Sequence, residues 1–236
     1  MFFGVHNHTA MGSNLRLRDS INRVPELIDY YYELGHKGLV FTEHESITSH
    51  LDALEYYKTK KQEEEWKDFK VALGNEIYLC PSYITAENVK SNVYPHFILI
   101  ALDSLGHKGI RELSTIAWTK NSFMHVMYRI PTYYSDLENI LKKYKGHIVG
   151  SSACLGSMLD RKILEYRDTQ NIDILQQCKM WIENMNIVFG QGYFFLELQP
   201  SHQSDQIFVN KHLIKFVCFS VRIIISSSLI SLLSSL

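Results

Sequence analysis

Short apolar runs alternate with amphipathic stretches through roughly the first two hundred residues of the chain. Brief runs that are apolar at most positions and rich in β-branched and aromatic residues are typical of buried strands. The predicted strands are Phe2–Val5, Gly38–Phe41, Lys70–Leu73, Phe97–Leu102, His147–Gly150, Tyr193–Leu198 and, on a weaker signal, Val221–Ile225. Strands that alternate with helical stretches predict an α/β fold with a parallel sheet, either closed as a barrel or doubly wound.

The helical stretches carry their own start and stop signals. Pro25 lies inside the start of the first predicted helix, and Gly35 follows its end. Ser135 and Glu138 have the spacing of a capping box before a second helix. A longer amphipathic helix is predicted over residues 171–188.

The alternation stops near residue 216. From Phe216 to Leu236 the only charged residue is Arg222, and most of the others are serine, leucine or isoleucine. About 20 apolar residues can cross a bilayer, but the serines and Arg222 interrupt this stretch, so we expect no membrane anchor. We therefore predict one domain over residues 1–215 and an aberrant apolar, serine-rich tail over residues 216–236.

The composition is that of an ordinary globular protein. Of the 236 residues, 46% are hydrophobic and 21% charged, which excludes a disordered, collagen-like or coiled-coil chain. The formal net charge of −1 provides no global attraction to nucleic acid, so any such contact must be local. The four cysteines lack the spacing of a disulfide framework, and the first residues lack a signal-peptide pattern. Together these features predict a reducing, cytoplasmic location.

Eleven histidines is a high number for this length, and several stand next to carboxylates or at the ends of predicted strands. His6 and His8 follow the first strand, where side chains at i and i+2 share a face. Glu43 and His44 follow the second strand, and Glu76 follows the third. Because a (β/α) barrel gathers its functional groups at the carboxyl ends of strands, these residues predict a metal site at one mouth. Taken singly, Glu43 and Glu76 are equally compatible with helix caps or loop carboxylates.

The remaining histidines belong to no motif. We expect most of them to lie at the surface or at helix ends. They are His36, His50, His107, His125, His147, His202 and His212.

A collinear series of short segments carries a family resemblance. The segments are FGVHNHT (3–9), SNLRLRDS (13–20), KGLVFTEHE (37–45), GNEIY (74–78), PHFILIA (95–101), GSSACLG (150–156) and FLELQ (195–199). In this order they resemble the PHP (polymerase and histidinol phosphatase) domain, and more narrowly that of the bacterial and phage DNA polymerase III alpha subunit. The resemblance extends over residues 2–213.

This resemblance implies a distorted seven-stranded (β/α) TIM-like barrel whose mouth holds up to three metal ions. It implies a first site of His6, His8 and Glu76, a second of Glu76, His96 and Cys154, and a third with Asp19 and His44. Imidazole and thiolate ligands suit zinc, and the added carboxylates also admit manganese. Glu76 and His8 are the expected catalytic residues. Glu43, where the family more often has Asp, is expected to support the ligands without touching an ion.

Two of these residues fit the pattern less simply. His96 precedes its predicted strand, whereas the other histidines follow theirs. A free cysteine such as Cys154 is most often a small buried apolar residue, and only the family motif favours a ligand.

The last predicted strand departs from the family. The family closes its metal site with Asp-x-His there, whereas this chain has Ser228 and Ile230 at those positions. No Asp or Glu follows Asp205, so a shifted register does not restore the ligands. We therefore expect an incomplete last strand, a truncated or out-of-frame end, fewer than three bound ions and impaired catalysis.

By resemblance, the chain is predicted to be the N-terminal PHP domain of a DNA polymerase III alpha subunit, acting in DNA replication with a metal-dependent phosphoesterase or 3′–5′ exonuclease-type site. DNA and other replisome subunits are the expected partners. Two alternatives stay open, namely a catalytically degenerate structural or docking module and a free-standing phosphatase of the histidinol-phosphate type. We expect no nucleotidyl transfer, because 236 residues leave no room for the palm and fingers domains of the family.

Overall fold

A computed structural model describes residues 2–13, 19–81, 83, 93–121, 129–217 and 222–224 of the chain. Within these ranges strands and helices alternate along much of the sequence. The strands are Phe3–Gly4 (β1), Gly38–Phe41 (β2), Lys70–Cys80 (β3), His96–Ala101 (β4), Pro131–Tyr133 (β5), Ile148–Ser151 (β6), Phe194–Glu197 (β7) and Arg222–Ile224 (β8). The helices are Ala10–Ser13 (α1), Val24–Glu33 (α2), His50–Lys60 (α3), Ser104–Ile116 (α4), Tyr134–Lys143 (α5), Met158–Thr169 (α6), Ile172–Phe189 (α7) and Ser204–Phe216 (α8). The alternation is interrupted where β4 follows β3, α2 follows α1 and α7 follows α6.

The strand predictions are confirmed in position, with one large difference of extent and one additional strand. β3 continues past its predicted end at Leu73 to Cys80. Its first half pairs with β2, and its second half pairs with β4 and β5. β5 itself was not predicted, because its three residues begin with a proline and form no apolar run.

The strands form one sheet in the order β1-β2-β3-β4-β6-β7-β8, and β5 lies beside the end of β3. Every neighbouring pair is parallel except the two that include β4, which runs antiparallel to β3 and to β6. The prediction of a wholly parallel sheet is therefore wrong at β4. Antiparallel neighbours need no helical crossover, so consecutive strands such as β3 and β4 can pair directly.

The direction of β4 explains the position of His96. Because β4 is reversed, its first residue lies at the end of the sheet where the parallel strands have their last residues. His96 pairs with Tyr78, near the carboxyl end of β3. A histidine that precedes its strand thus reaches the same mouth as histidines that follow theirs.

The sheet curls around a core of its own. Along β4, Ile98 and Ile100 face the inside of the curl, while Phe97 and Leu99 pack outward against helices. Among the described residues, the inner cluster is formed by strand residues and by residues one or two positions after a strand: Phe3, Val40, Ala72, Ile98, Ile100, Leu102, Val149, Ala153 and Phe195. The α/β class and the curled sheet are thereby established. Closure into a seven-stranded barrel stays a prediction.

The helix predictions are confirmed for α2 and α7 and are wrong in one detail for α5. Gly35, just past α2, has a left-handed φ of 72°, as the stop signal indicates. Asn171 caps α7 by accepting from the Asp173 amide. Ser135 does not cap α5, because that helix begins directly after β5 and places Ser135 inside its first turn.

The end of the described chain continues the alternation for one more unit. Helix α8 extends through Phe216, which is buried, and β8 pairs in parallel with β7. Ser228, Ile230 and most of the predicted tail lie outside the described residues. The incomplete last strand and the aberrant tail stay predictions. No helix in the described part of the chain is both long and apolar enough to span a bilayer.

Candidate metal centre

The predicted ligands lie together at one end of the curled sheet. Glu76 has the strand parity of Ala72, a residue of the inner core, so its side chain points into the curl. The others are carried by the loops and strand ends around it. His6 and His8 follow β1, His44 follows β2, His96 begins β4 and Cys154 follows β6.

The carboxylate of Glu76 is the centre of the site. It is fully buried, and its Oε1 lies 2.8 Å from His96 Nδ1 and 3.3 Å from His6 Nε2. Its Oε2 lies 2.6 Å from His44 Nδ1 and 3.4 Å from His8 Nε2. A single carboxylate therefore collects the imidazoles that the sequence placed at three different strand ends.

The first three predicted ligands have the spacing of a metal site. His6 Nε2 and His8 Nε2 are 3.1 Å apart, and their distances to the Glu76 oxygens are 3.3 and 3.4 Å. A tetrahedral zinc ion with bonds of about 2.0–2.1 Å sets neighbouring nitrogen ligands about 3.3 Å apart. The two imidazole nitrogens therefore have nearly the separation of neighbouring zinc ligands, while the Glu76 contacts are made by different oxygens, Oε1 with His6 and Oε2 with His8. The chemistry of these three side chains fits a divalent cation.

A second group of donors shares the same carboxylate. Cys154 Sγ lies 3.3 Å from His96 Nδ1 and 3.9 Å from Glu76 Oε1. His44, Glu76 and His96 also offer ligand atoms within 4.8 Å of one another. His44 reaches outward as well, since its Nε2 lies 2.9 Å from Asp19 Oδ2 at the rim. His44 thus joins the predicted second and third sites.

The backbone beside two of these ligands is strained. Glu45, directly after His44, and Ala153, directly before Cys154, have left-handed φ values of 56° and 61°. For residues other than glycine this conformation costs about 1–2 kcal/mol. Such outliers concentrate at functional sites, where the surrounding structure holds them. Gly156 serves the same loop, because a Cβ there would meet the His96 ring at 2.9 Å.

Burial and neighbouring charge decide the protonation of the ligands. Burial alone would raise the pKa of Glu76, but contacts with His6, His44 and His96 hold that pKa well below its usual range. Burial lowers the pKa of His8 to about 4, so its imidazole is neutral and offers a lone pair at neutral pH.

Unlike the His8 imidazole, the Cys154 side chain keeps the proton that a metal ligand must lose. Burial, followed by the Glu76 charge, raises the pKa of its thiol to about 11. Because metals bind the thiolate, loading of this group must release a proton.

Glu43 lies behind this cluster. It is buried, and its carboxylate accepts hydrogen bonds from the Thr9 amide at 3.1 Å and the Thr9 hydroxyl at 2.5 Å. Thr9 directly follows His8, so Glu43 fixes the loop that presents this imidazole. The predicted role of Glu43, to support the ligands without touching an ion, stays a prediction that agrees with these hydrogen bonds.

One residue of the cluster escaped the sequence analysis. Glu197 ends β7, is 2% exposed, and lies with Oε1 2.9 Å from His6 Nδ1. It was missed because the predicted strand ran on to Leu198 and gave Glu197 the appearance of a mid-strand residue. A lone carboxylate in an otherwise apolar run is the signal that would have found it.

The fold and the site define a class of protein. The chain is an α/β protein with a curled sheet, and a buried carboxylate at its mouth is surrounded by imidazoles and a thiol spaced for divalent metal ions. Comparison with known families assigns it further. The PHP domain family matches residues 5–201, and the chain belongs to that family.

Several proteins similar to this chain are named as DNA polymerases or their subunits. The chain is 40% identical over 222 residues to the "Probable DNA polymerase YorL" of Bacillus subtilis and to the "DNA-directed DNA polymerase" of Bacillus phage SPbeta. It is 27% identical over 213 residues to DNA polymerase III subunit alpha of Borreliella burgdorferi. These matches cover 89% of the chain but only 16–17% of the relatives, so the chain spans about a sixth of their length.

One solved structure aligns with most of the chain. It is a "putative metal-dependent phosphoesterase" from Bifidobacterium adolescentis, with a TM-score of 0.47 and 12% sequence identity. The alignment covers 92% of this chain and 83% of that chain.

Proposed function

We propose that this chain is the N-terminal PHP domain of a replicative DNA polymerase of the polymerase III alpha type, and that its metal centre hydrolyses terminal phosphodiester bonds of DNA from the 3′ end. The convergence of four imidazoles and a thiol on the buried Glu76 carboxylate carries this proposal. The polymerase relatives support the DNA substrate. Other replisome subunits are the proposed partners, and the cytoplasm is the proposed location.

The donor sets suggest how the residues share the ions, with zinc or manganese as the proposed metals. His6, His8 and Glu76 hold one ion, Glu76, His96 and Cys154 hold a second, and His44 with Asp19 serves a third at the rim. When bound, such ions supply Lewis-acid chemistry, activating water and offsetting charge on the phosphate oxygens. Glu76 is shared by the donor sets, because its Oε1 faces His6 and His96 while its Oε2 faces His8 and His44.

Exposure indicates the side from which DNA enters. The side chain of Glu76 is fully buried, whereas those of His8 and Asp19 are 21% and 39% exposed. The phosphate therefore approaches over His8 and Asp19. His8, whose side chain is more exposed than that of His6, lies on this side and is the proposed catalytic residue that orients the phosphate beside the ion.

A second candidate is a catalytically degenerate module that supports or docks onto the polymerase. The sequence after Asp205 favours it, because Ser228 and Ile230 replace the last metal ligands of the family. This candidate predicts that ions bind but DNA is not cut.

The test is hydrolysis by the purified full chain. A single-stranded oligonucleotide labelled at its 3′ end is incubated with the chain and Mn²⁺ or Zn²⁺, and released nucleotide is measured. We expect release that requires metal and is lost in Glu76→Gln. Glu138→Gln, on the exposed face of α5, is the matched control.

The possible outcomes separate the candidates. Metal binding without release of nucleotide would favour the degenerate module. Faster turnover of histidinol phosphate than of DNA would favour the phosphatase. Failure of the chain to bind either metal would contradict all three.

A further inference from the structure

The bond between His6 and Glu197 joins the two sides of the curled sheet. His6 follows β1, the first strand of the sheet order, and Glu197 ends β7, near the other end of that order. Their contact of 2.9 Å connects residues 191 positions apart in the chain. Neither residue is accessible enough for water to replace the contact, since their side chains are 11% and 2% exposed.

Two side chains hold the Glu197 carboxylate, and a third contact is made by its backbone only. Its Oε2 accepts from the Ser151 hydroxyl at 3.0 Å, and its Oε1 accepts from Gln199 Nε2 at 2.9 Å. Its own amide donates to the Ser152 hydroxyl at 3.0 Å. Gln199 Nε2 lies 3.3 Å from His6 Nδ1, and the shorter contact identifies the carboxylate as its acceptor. A carboxylate fixed in this way presents one lone pair to one partner, His6.

The contact selects the tautomer of His6. A metal ligand must be a neutral imidazole, and an ionised carboxylate only accepts hydrogen bonds, so in the metal-binding form of His6 the proton resides on Nδ1. The lone pair then resides on Nε2, the atom that lies 3.1 Å from His8 Nε2 and 3.3 Å from Glu76 Oε1. Metal-bound histidines commonly donate their second nitrogen to a carboxylate in this manner.

We propose that Glu197 is a positioning residue of the metal centre, which orients His6 and keeps its Nε2 lone pair directed at the ion shared with His8 and Glu76. This inference depends on the proposed function, in that it assumes an ion at the first site. Glu197 itself touches neither the ion nor the substrate. Glu197, His6 and the ion would form a carboxylate–histidine–metal arrangement, in which both protein residues belong to the described part of the chain.

Zinc binding by the full-length variants Glu197→Ala and Glu197→Gln tests the proposal. Competition with a chromophoric chelator gives the affinity, and the visible spectrum of the Co²⁺-loaded chain reports the ligand geometry. We expect Glu197→Ala to weaken zinc binding about 10–100-fold and to alter the cobalt spectrum. Glu197→Gln keeps the volume and a carbonyl oxygen that accepts from Nδ1, so it should recover part of the affinity.

Ser152→Ala is the matched control. It removes the hydroxyl that accepts from the Glu197 amide, in an equally buried position, but leaves the carboxylate opposite His6. It should lower stability and leave zinc affinity and the cobalt spectrum unchanged. Equal zinc affinity in wild type and both Glu197 variants would overturn the proposal alone, as would an equal loss in Ser152→Ala. A wild-type chain that binds no zinc would overturn the proposed function as well.

Discussion

Two groups of histidines and carboxylates lie in different parts of this molecule, and they are built differently. The mouth group surrounds Glu76 inside the curl. The α4 group, outside the curl at the first turn of α4, consists of His50, Asp103, His107 and His147. In it, His50 Nε2 donates to the Gly74 carbonyl at 2.8 Å, and its Nδ1 accepts from His107 Nε2 at 3.1 Å.

The carboxylates of the two groups differ most. Asp103 Oδ1 accepts from the amides of Leu105 and Gly106 and caps α4, while its Oδ2 lies 2.6 Å from His147 Nδ1. Its lone pairs are therefore used within the fold. Both oxygens of Glu76 instead face imidazole nitrogens that face one another. A short carboxylate–histidine contact does not by itself indicate a metal site, whereas several donors directed at a common space do.

The largest expected effect separates the two carboxylates. Glu76→Gln should weaken zinc binding by more than about 100-fold, because it replaces an anionic ligand by a neutral amide. Residues that only hydrogen-bond to a ligand already contribute about 10–100-fold. Asp103→Asn should leave zinc binding unchanged, because Asn caps helices as well as Asp does. Chelator competition measures both variants. Comparable losses of zinc affinity in both variants would contradict the assignment of metal binding to the mouth group alone.

The second prediction concerns stability without metal. His50→Ala should lower the free energy of unfolding by about 1–3 kcal/mol, because the buried Gly74 carbonyl loses its donor. His50→Gln keeps a terminal N–H and should lose less. Burial lowers the pKa of His50 to about 4, in agreement with a neutral structural ring. Urea unfolding measures the change, and a parallel loss of zinc binding would show that the α4 group is not independent.

The smallest effect is a pH dependence at Asp103. Burial alone would raise the pKa of Asp103, but the Gly106 amide and the His147 imidazole lower it below its ordinary value of 3.8. A lowered pKa stabilises the fold above the unfolded value, and this contribution disappears as the pH falls through the folded value. Because the Asp103 side chain is 33% exposed, we expect less than about 1 kcal/mol.

The comparison of wild type with Asp103→Asn makes this measurable. Urea unfolding at neutral pH should show wild type slightly more stable, and the difference should shrink as the pH is lowered below 3.8. A difference that persists unchanged at pH 3 would assign the effect of Asp103 to something other than its charge.

Much of the fold was accessible from local patterns. Buried strands such as Gly38–Phe41 and Ile148–Ser151 appear as short apolar runs, since side-chain period and burial are properties of neighbouring residues. β5 carries no such signal, because it is three residues long and is stabilised by pairing with the distant end of β3. The capping box at Ser135 failed for the same reason, as α5 starts where β5 ends.

The site was predictable to a similar extent. His6, His8, His44 and Glu76 were predicted as ligands because each follows a predicted strand. The sequence did not predict that β4 runs in reverse, and so His96 seemed misplaced. Glu197 was hidden because the exact end of a strand depends on its pairing partners.

The amino-acid sequence by itself determined the strands other than β5, their alternation with helical stretches, the family and the residue types available for metal binding. These follow from hydrophobic periodicity and from motifs whose members lie within a few residues of one another. Only the tertiary structure decided the direction of β4, the convergence of four imidazoles on one carboxylate and the pairing of His6 with Glu197 across 191 positions. Strand direction and long-range contacts arise from hydrogen bonds between distant segments, which no local pattern encodes.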